Sequence, residues 1–291
     1  RGVHVNWVDF DVEEGTLNLD DAQKALERKP KLLAVGYASN SLGTINPVKK
    51  IIDMAHEAGA LVYIDAVQYA PHGPIDVQKL DCDFLISSAY KFFGTHSAIL
   101  YGKRNLLEKL FAYKVRPATN HLPGKFETGT QNHEGIAGVL GAIEYFEWVG
   151  REFGSEFVAG LAGENYRGRQ LELKKAMSAI HAYEIELSKA LLSALNDVPG
   201  LRLYGLNDVR RLDERVATFS FRLNNMHPRV VAEKLAQEGI FAWDGNYYAL
   251  NVSERLGVEE QGGMVRVGAA HYNTVEEVAR LKDALIKIAA G

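Results

Sequence analysis

The sequence predicts an α/β fold: a large three-layer domain with a mainly parallel sheet, followed by a smaller C-terminal α+β domain. Three observations carry that expectation. From Val3 to Gly102 short apolar runs alternate with amphipathic helical patterns, the signature of crossover units between parallel strands. Long stretches of helical periodicity then fill Ile136–Val149 and Tyr166–Val198, and after Pro199-Gly200 the alternation resumes in shorter elements. At 291 residues with 47% apolar side chains the chain can bury such a core, which excludes a disordered or fibrous chain. The expected division is a large domain over residues 1–150, then linker helices and a small domain over 151–291.

In the first half the expected strands are Val3–Val8, Leu32–Ala38, Leu61–Ile64, Phe84–Ser88 and Ala98–Tyr101. Asn18 caps a helix bearing Leu19, Ala22, Ala25 and Leu26, with Asp20 and Asp21 at its positive end. Pro47 opens a second helix carrying Ile51, Ile52 and Ala55, and Gly59 closes it. In the second half strand Val216–Phe221, helix Arg229–Glu238 behind Pro228, and strands Ile240–Trp243 and Met264–Val267 precede a last helix. Thr274 and Glu277 stand there in capping-box spacing, ahead of Val278, Leu281, Leu285 and Ile288. Because a strand pattern begins directly behind Arg1, the large domain is expected to be N-terminally incomplete.

Composition narrows the function classes. The formal charge of −4 and the lack of any long run of like charge give no support for a nucleic-acid or membrane-surface partner. No segment has the roughly twenty apolar residues of a membrane helix. A single cysteine, Cys82, excludes an internal disulfide and a four-thiolate metal site, which suits a reducing compartment, here taken as the cytoplasm. Histidines at metal-ligand spacing are absent, as are GxGxxG and GxxxxGK[ST] loops, so neither a metal enzyme nor a nicotinamide dehydrogenase is favoured.

Chemistry concentrates in two strand ends, Leu61-Val-Tyr-Ile-Asp65-Ala-Val-Gln68 and Phe84-Leu-Ile-Ser-Ser88-Ala-Tyr90-Lys91. In an open parallel sheet ligands bind beyond the C-terminal strand ends, so Asp65, Gln68, Ser88, Tyr90 and Lys91 are candidates for one crevice. These are the types pyridoxal phosphate requires: a lysine for the aldehyde, a carboxylate to keep the pyridine nitrogen protonated, and hydroxyls for the phosphate. Taken alone, Asp65 reads more readily as a turn or cap residue and Lys91 as a solvated charge. The combination is far more specific.

Asp65-Ala-Val-Gln68, Ser88-x-x-Lys91, Ser39-Asn40-x-x-Gly43-Thr44-Ile45-Asn46-Pro47, Phe126-Glu127-x-Gly129-Thr130, and Arg266 followed by His271-Tyr-Asn273-Thr together resemble the class V aminotransferase/cysteine desulfurase family. The resemblance runs over nearly the whole chain, with the motifs in the family's order. It implies the fold-type I architecture of pyridoxal-phosphate-dependent transferases and an enzyme acting on an amino acid through an external aldimine. Lys91 is then the imine partner and proton shuttle, Asp65 the partner of the pyridine nitrogen, and Gln68 and Asn40 neighbours of the ring hydroxyl. Ser88 matches a phosphate ligand, and Thr130 a phosphate contact donated by the neighbouring subunit of a homodimer. Arg266 matches the arginine that binds the substrate α-carboxylate, a role suited to a planar bidentate donor; its plainer reading is a surface salt bridge.

Three departures qualify the resemblance. Tyr90 replaces the histidine that precedes the lysine in desulfurases, although a phenol still donates a hydrogen bond. In Gly245-Asn246-Tyr247-Tyr248-Ala249, Tyr248 stands where desulfurases carry the persulfide cysteine, and a phenol cannot accept sulfur as a thiolate does. Cys82 precedes strand Phe84–Ser88, at the opposite sheet edge, and is read as buried and structural. The family's glycine-rich phosphate loop and ring-stacking aromatic would precede Arg1. The resemblance therefore favours transaminase, C–S lyase or epimerase chemistry, with desulfuration and a non-catalytic scaffold of the same fold as alternatives. Lys114 and Arg116 read as ordinary solvated charges.

Overall fold

The computed structural model describes residues 2–291. They form two compact units that interleave along the chain, where the sequence reading puts one division near residue 150. One unit takes residues 26–36 and 48–176; the other takes the chain up to Ala25, residues 37–47 and residues 177–291. Helix α1, Leu19–Glu27, crosses the first boundary and is entered as the sequence implies: Asn18 Oδ1 accepts from the Asp20 and Asp21 N–H groups, each at 3.1 Å.

The first unit is built on strands β1 (Leu32–Gly36), β2 (Leu61–Asp65), β3 (Phe84–Ser88) and β4 (Ala98–Gly102), side by side in that order. The first three run parallel and β4 runs antiparallel to β3. Only residues 89–97 join β3 to β4, too few for the crossover that a parallel neighbour demands, so the chain must turn back. Between β1 and β2, helix α2 (Val48–Glu57) buries Val48, Ile51, Ile52 and Ala55, the apolar stripe its spacing implies. Short helices α3 (Val77–Leu80) and α4 (Arg104–Lys109) and the long α5 (His133–Phe153) complete the unit, with α5 burying Val139, Ala142, Phe146 and Val149. Helix α6, Gly168–Asn196, holds the last boundary.

The other unit carries a fully antiparallel sheet in the order β5 (Leu201–Tyr204), β6 (Thr218–Leu223), β8 (Met264–Gly268), β7 (Trp243–Gly245). Its helices are α7 (Pro228–Gln237), α8 (Leu250–Arg255) and α9 (Val275–Ala290). The core combines Leu187, Leu191 and Leu195 of α6, Phe219 and Phe221 of β6, Val231 and Leu235 of α7, and Leu281 and Leu285 of α9. Thr274 and Glu277 form the expected capping box at the start of α9.

Three elements differ from expectation. Val3–Val8 is not a strand: no neighbour pairs with it among the described residues, and Val3, Val5 and Trp7 are exposed. An alternating pattern becomes a strand only where a ladder partner satisfies its backbone. The expected strand Ile240–Trp243 begins instead at Trp243, and β5 lies in a stretch where none was expected. Residues 37–47 join the second unit because their backbone is consumed by a segment far along the chain. Ile45 N–H donates to Glu214 O and Val216 N–H to Gly43 O, both at 2.8 Å, while Ser220 Oγ donates to Ser41 O at 2.6 Å. The buried Arg215 guanidinium fastens the same junction through the carbonyls of Leu42, Leu206 and Thr218 and lies 3.6 Å from the Phe219 ring centroid.

Candidate active site

The candidate residues fall into two groups, one in each unit. In the first unit the parallel register sets Asp65 opposite Ile86, so the C-terminal ends of β2 and β3 reach the same sheet edge. Asp65 is exposed there, one carboxylate oxygen accepting the Val67 N–H at 2.9 Å in the turn that leaves the strand. Gln68 lies half-buried in that turn, which the Ala66 carbonyl closes by accepting from Tyr69 and Ala70.

Beyond β3 the chain enters a single 3₁₀ turn, Ala89–Phe92, which contains Tyr90 and Lys91. Ser88 stands at its N-cap yet makes no side-chain capping bond. A serine in that position ordinarily spends its hydroxyl on the turn, so this hydroxyl is left for another partner. Lys91 is exposed, its ammonium 5.4 Å from the centre of the Tyr90 ring, and among the described residues no carboxylate forms an ion pair with it. Tyr90 stacks on His96 with centroids 4.8 Å apart.

The turn is held from behind. Phe93, left-handed at φ 69°, closes it through its N–H to Ala89 O and packs its ring on Tyr145 and Phe146 of α5. Two residues on, Thr95 Oγ1 donates to Gly135 O at 2.6 Å, and a Cβ on Gly138 would collide with the Thr95 methyl. Helix α5 thus carries glycines where the loop behind Lys91 must come close. Sequence reading missed His96, Thr95 and this glycine pair, since only the packing of α5 gives them meaning. Thr130 lies exposed on the turn before α5, whose N-cap Asn132 accepts from Gly135 N–H at 2.8 Å. Lys114 donates to Ala118 O at 2.6 Å and Arg116 is exposed.

In the other unit Arg266 occupies the middle of β8, opposite Ser220 on β6 and Trp243 on β7. It is half-buried, and burial pushes its pKa down from the usual arginine value. No acidic side chain among the described residues pairs with it, so the surface salt bridge offered as its plainer reading is absent. Its NH1 donates to Asn40 O at 2.6 Å, and its guanidinium carbon lies 4.5 Å from the centre of the Tyr247 ring. The Asn40 side chain donates to Tyr247 O at 2.8 Å, so Asn40 and Arg266 do come together. Tyr247 is buried, whereas Tyr248 is 101% exposed. A cavity of about 520 Å³ opens beside them, lined by His227, Arg229, Trp243, Asp244 and both tyrosines among others. The chain's one cysteine, Cys82, is fully buried at the N-terminal end of β3, and desolvation pushes its thiol up to about 11. No helix among the described residues is long and apolar enough to cross a membrane, and none of their side-chain clusters could hold a metal ion.

Comparison with known proteins places this geometry in a family. The profile of the aminotransferase class-V family matches residues 1–158 and 149–281. A cysteine desulfurase of Synechococcus elongatus is 33% identical over 289 residues, covering 95% of this chain and 41% of that protein. One from Pectobacterium atrosepticum is 34% identical over 301 residues, covering 99% of this chain and 65% of its own length. The chain thus spans less than two thirds of these relatives. Among solved structures, the apo cysteine desulfurase of Thermococcus onnurineus NA1 superposes with a TM-score of 0.78 at 27% identity, covering 98% of this chain and 66% of that one. A cysteine desulfurase of Escherichia coli gives 0.71 at 28%, covering 91% and 61%.

The fold is therefore the α/β fold of pyridoxal-phosphate-dependent transferases, and enzymes of this family depend on that cofactor. The donor set at the β2–β3 edge fits it: an amine without a carboxylate partner, a carboxylate, and a serine hydroxyl not spent on its own turn. The chain belongs to the class-V aminotransferase family.

Proposed function

We propose that the protein containing this chain is a pyridoxal-phosphate-dependent enzyme that makes or breaks a bond at the α-carbon of an amino acid. The observation that carries this reading is the delivery of a carboxylate and an amine to one sheet edge by adjacent parallel strands, Asp65 from β2 and Lys91 just beyond β3. When bound, the cofactor supplies an electron sink that lets a bond at the α-carbon break. Lys91 holds its aldehyde and moves the proton at the substrate α-carbon. Asp65 keeps the pyridine nitrogen protonated, and Gln68 and Asn40 serve the ring hydroxyl. Ser88 and Tyr90 serve the phosphate. Thr130, exposed on the turn before α5, serves the phosphate of the neighbouring subunit in a homodimer. Arg266 binds the α-carboxylate; a planar donor with no acidic partner in the protein suits an anionic ligand. One buried cysteine and no disulfide support a reducing compartment, the cytoplasm.

Desulfuration is the second reading, favoured by the relatives that bear that name. Against it stands Tyr248 at the position of the sulfur-accepting cysteine, and Cys82 is buried with its thiol held protonated. C–S bond cleavage in which sulfur leaves with the substrate fragment needs no such thiol. The test is absorbance of the protein with added pyridoxal phosphate, against Lys91→Ala, followed by a panel of amino acids with keto-acid, ammonia and sulfide measured separately. A band above 400 nm in the parent alone, with turnover of at least one amino acid, is expected. Absence of the band in both proteins favours a non-catalytic scaffold, and persulfide on the protein favours desulfuration.

A further inference from the structure

We propose that Tyr247 positions Arg266 for a substrate carboxylate, and that the strained turn Gly245–Tyr248 exists to place it. The proposal rests on the reading of Arg266 as the carboxylate-binding residue. Among the described residues Arg266 has one hydrogen-bond acceptor, the Asn40 carbonyl met by NH1, and no acidic partner. A half-buried guanidinium left so short of compensation would lose its orientation unless a neighbour holds it. The Tyr247 ring supplies that hold, with its centre 4.5 Å from the guanidinium carbon. Because only NH1 meets a protein acceptor among the described residues, the remaining N–H groups stay open for a two-point bond to a carboxylate.

The tyrosine is itself fixed at both ends. Its hydroxyl donates to Met264 O, on the strand that carries Arg266, and its own carbonyl accepts from the Asn40 side chain at 2.8 Å. Asn40, Tyr247 and Arg266 therefore close a ring of three contacts, joining residues that lie far apart in the chain. The backbone is costly to hold in this shape. Tyr247 and Tyr248 are successive left-handed residues, at φ 57° and 62°, a conformation bulky side chains rarely adopt. The surroundings enforce it: Asn246 Oδ1 accepts the Tyr248 N–H at 3.1 Å, and a Cβ on Gly263 would collide with the Gly245 carbonyl. Tyr248 gains nothing from the turn, since it projects fully into solvent. What the turn delivers is the Tyr247 ring, inward, against the arginine.

The competing account is that Tyr247 only fills the small core it shares with Leu42, Tyr204, Val258 and Met264. Ligands that differ in the carboxylate alone separate the two. The protein, loaded with pyridoxal phosphate, is titrated with L-alanine and with L-alaninamide, and binding is followed by the change in cofactor absorption. The parent is expected to prefer alanine, and Arg266→Ala to abolish the preference. Tyr247→Leu and Tyr247→Met, either of which suffices if the other does not fold, are expected to reduce it about tenfold by weakening alanine alone, whereas Tyr247→Phe, which keeps the ring, keeps the preference. Equal weakening of both ligands in the Leu or Met variant, or an unchanged preference, overturns the positioning role. A parent that shows no preference, or an Arg266→Ala variant that retains it, overturns instead the assignment of Arg266.

Discussion

Asp83 anchors the end of the sheet opposite the candidate site, and its substitution gives a worked prediction. It is buried at 4% exposure, where its carboxylate accepts from Val62 N–H at 2.8 Å, His56 Nε2 at 2.9 Å and Lys103 Nζ at 3.1 Å. Asp83→Ala leaves the Val62 N–H buried without an acceptor, a loss of about 1–3 kcal/mol. His56 and Lys103 keep partial access to water and a second partner in Asp81, so each adds less than about 1 kcal/mol. The expected loss is about 3 kcal/mol for Asp83→Ala and about 1–2 kcal/mol for Asp83→Asn, which keeps one acceptor. The pH dependence has a definite sign. Burial alone would raise this carboxyl, but the bonds from His56, Val62 and Lys103 outweigh it, so the folded value lies below the ordinary 3.8. Its contribution is therefore complete above the unfolded value and is lost as pH falls through the folded one. Urea unfolding of parent and Asp83→Asn, followed by circular dichroism, should show a gap at pH 7 that narrows by pH 3. Equal midpoints at pH 7, or a gap unchanged at pH 3, would show that Asp83 does not anchor the sheet through these bonds.

Other consequences can be checked as simply. Gly150→Ala in α5 would gain about 1 kcal/mol of helix propensity on an open surface, but its Cβ collides with the Glu172 carbonyl, so a net loss of about 2 kcal/mol is expected in thermal unfolding. Tyr248→Gly should raise stability by about 0.5–1 kcal/mol in the same assay, because the ring is solvent-exposed and glycine adopts φ 62° freely. Cys82 should resist alkylation by iodoacetamide in the folded protein at pH 8 and react only on unfolding; rapid native labelling would contradict the burial and raised pKa assigned to its thiol.

Much of this architecture was legible because periodicity and caps are local. The stripe Ile51, Ile52, Ala55 and the Thr274–Glu277 capping box each lie within a dozen residues, and each formed as written. The strand-edge residues were legible for a similar reason: a polar group placed just past an apolar run reads as the C-terminal end of a strand. What failed depended on partners. Val3–Val8 alternates correctly but meets no ladder. Tyr247 gave no sign of its role, since its contact with Asn40 joins residues 207 apart, and the Arg266 bond to Asn40 joins residues 226 apart. Arg215 likewise takes its meaning from carbonyl partners as far off as Leu42, which no local pattern marks.

On the proposed function, Lys91 carries the cofactor. Incubation with pyridoxal phosphate, reduction with borohydride and peptide mapping by mass spectrometry test it directly. The pyridoxyl group is expected on the peptide containing Lys91, in stoichiometric yield and absent from Lys91→Ala. Its appearance at another lysine with Lys91 unmodified, or no incorporation at all, would contradict the account.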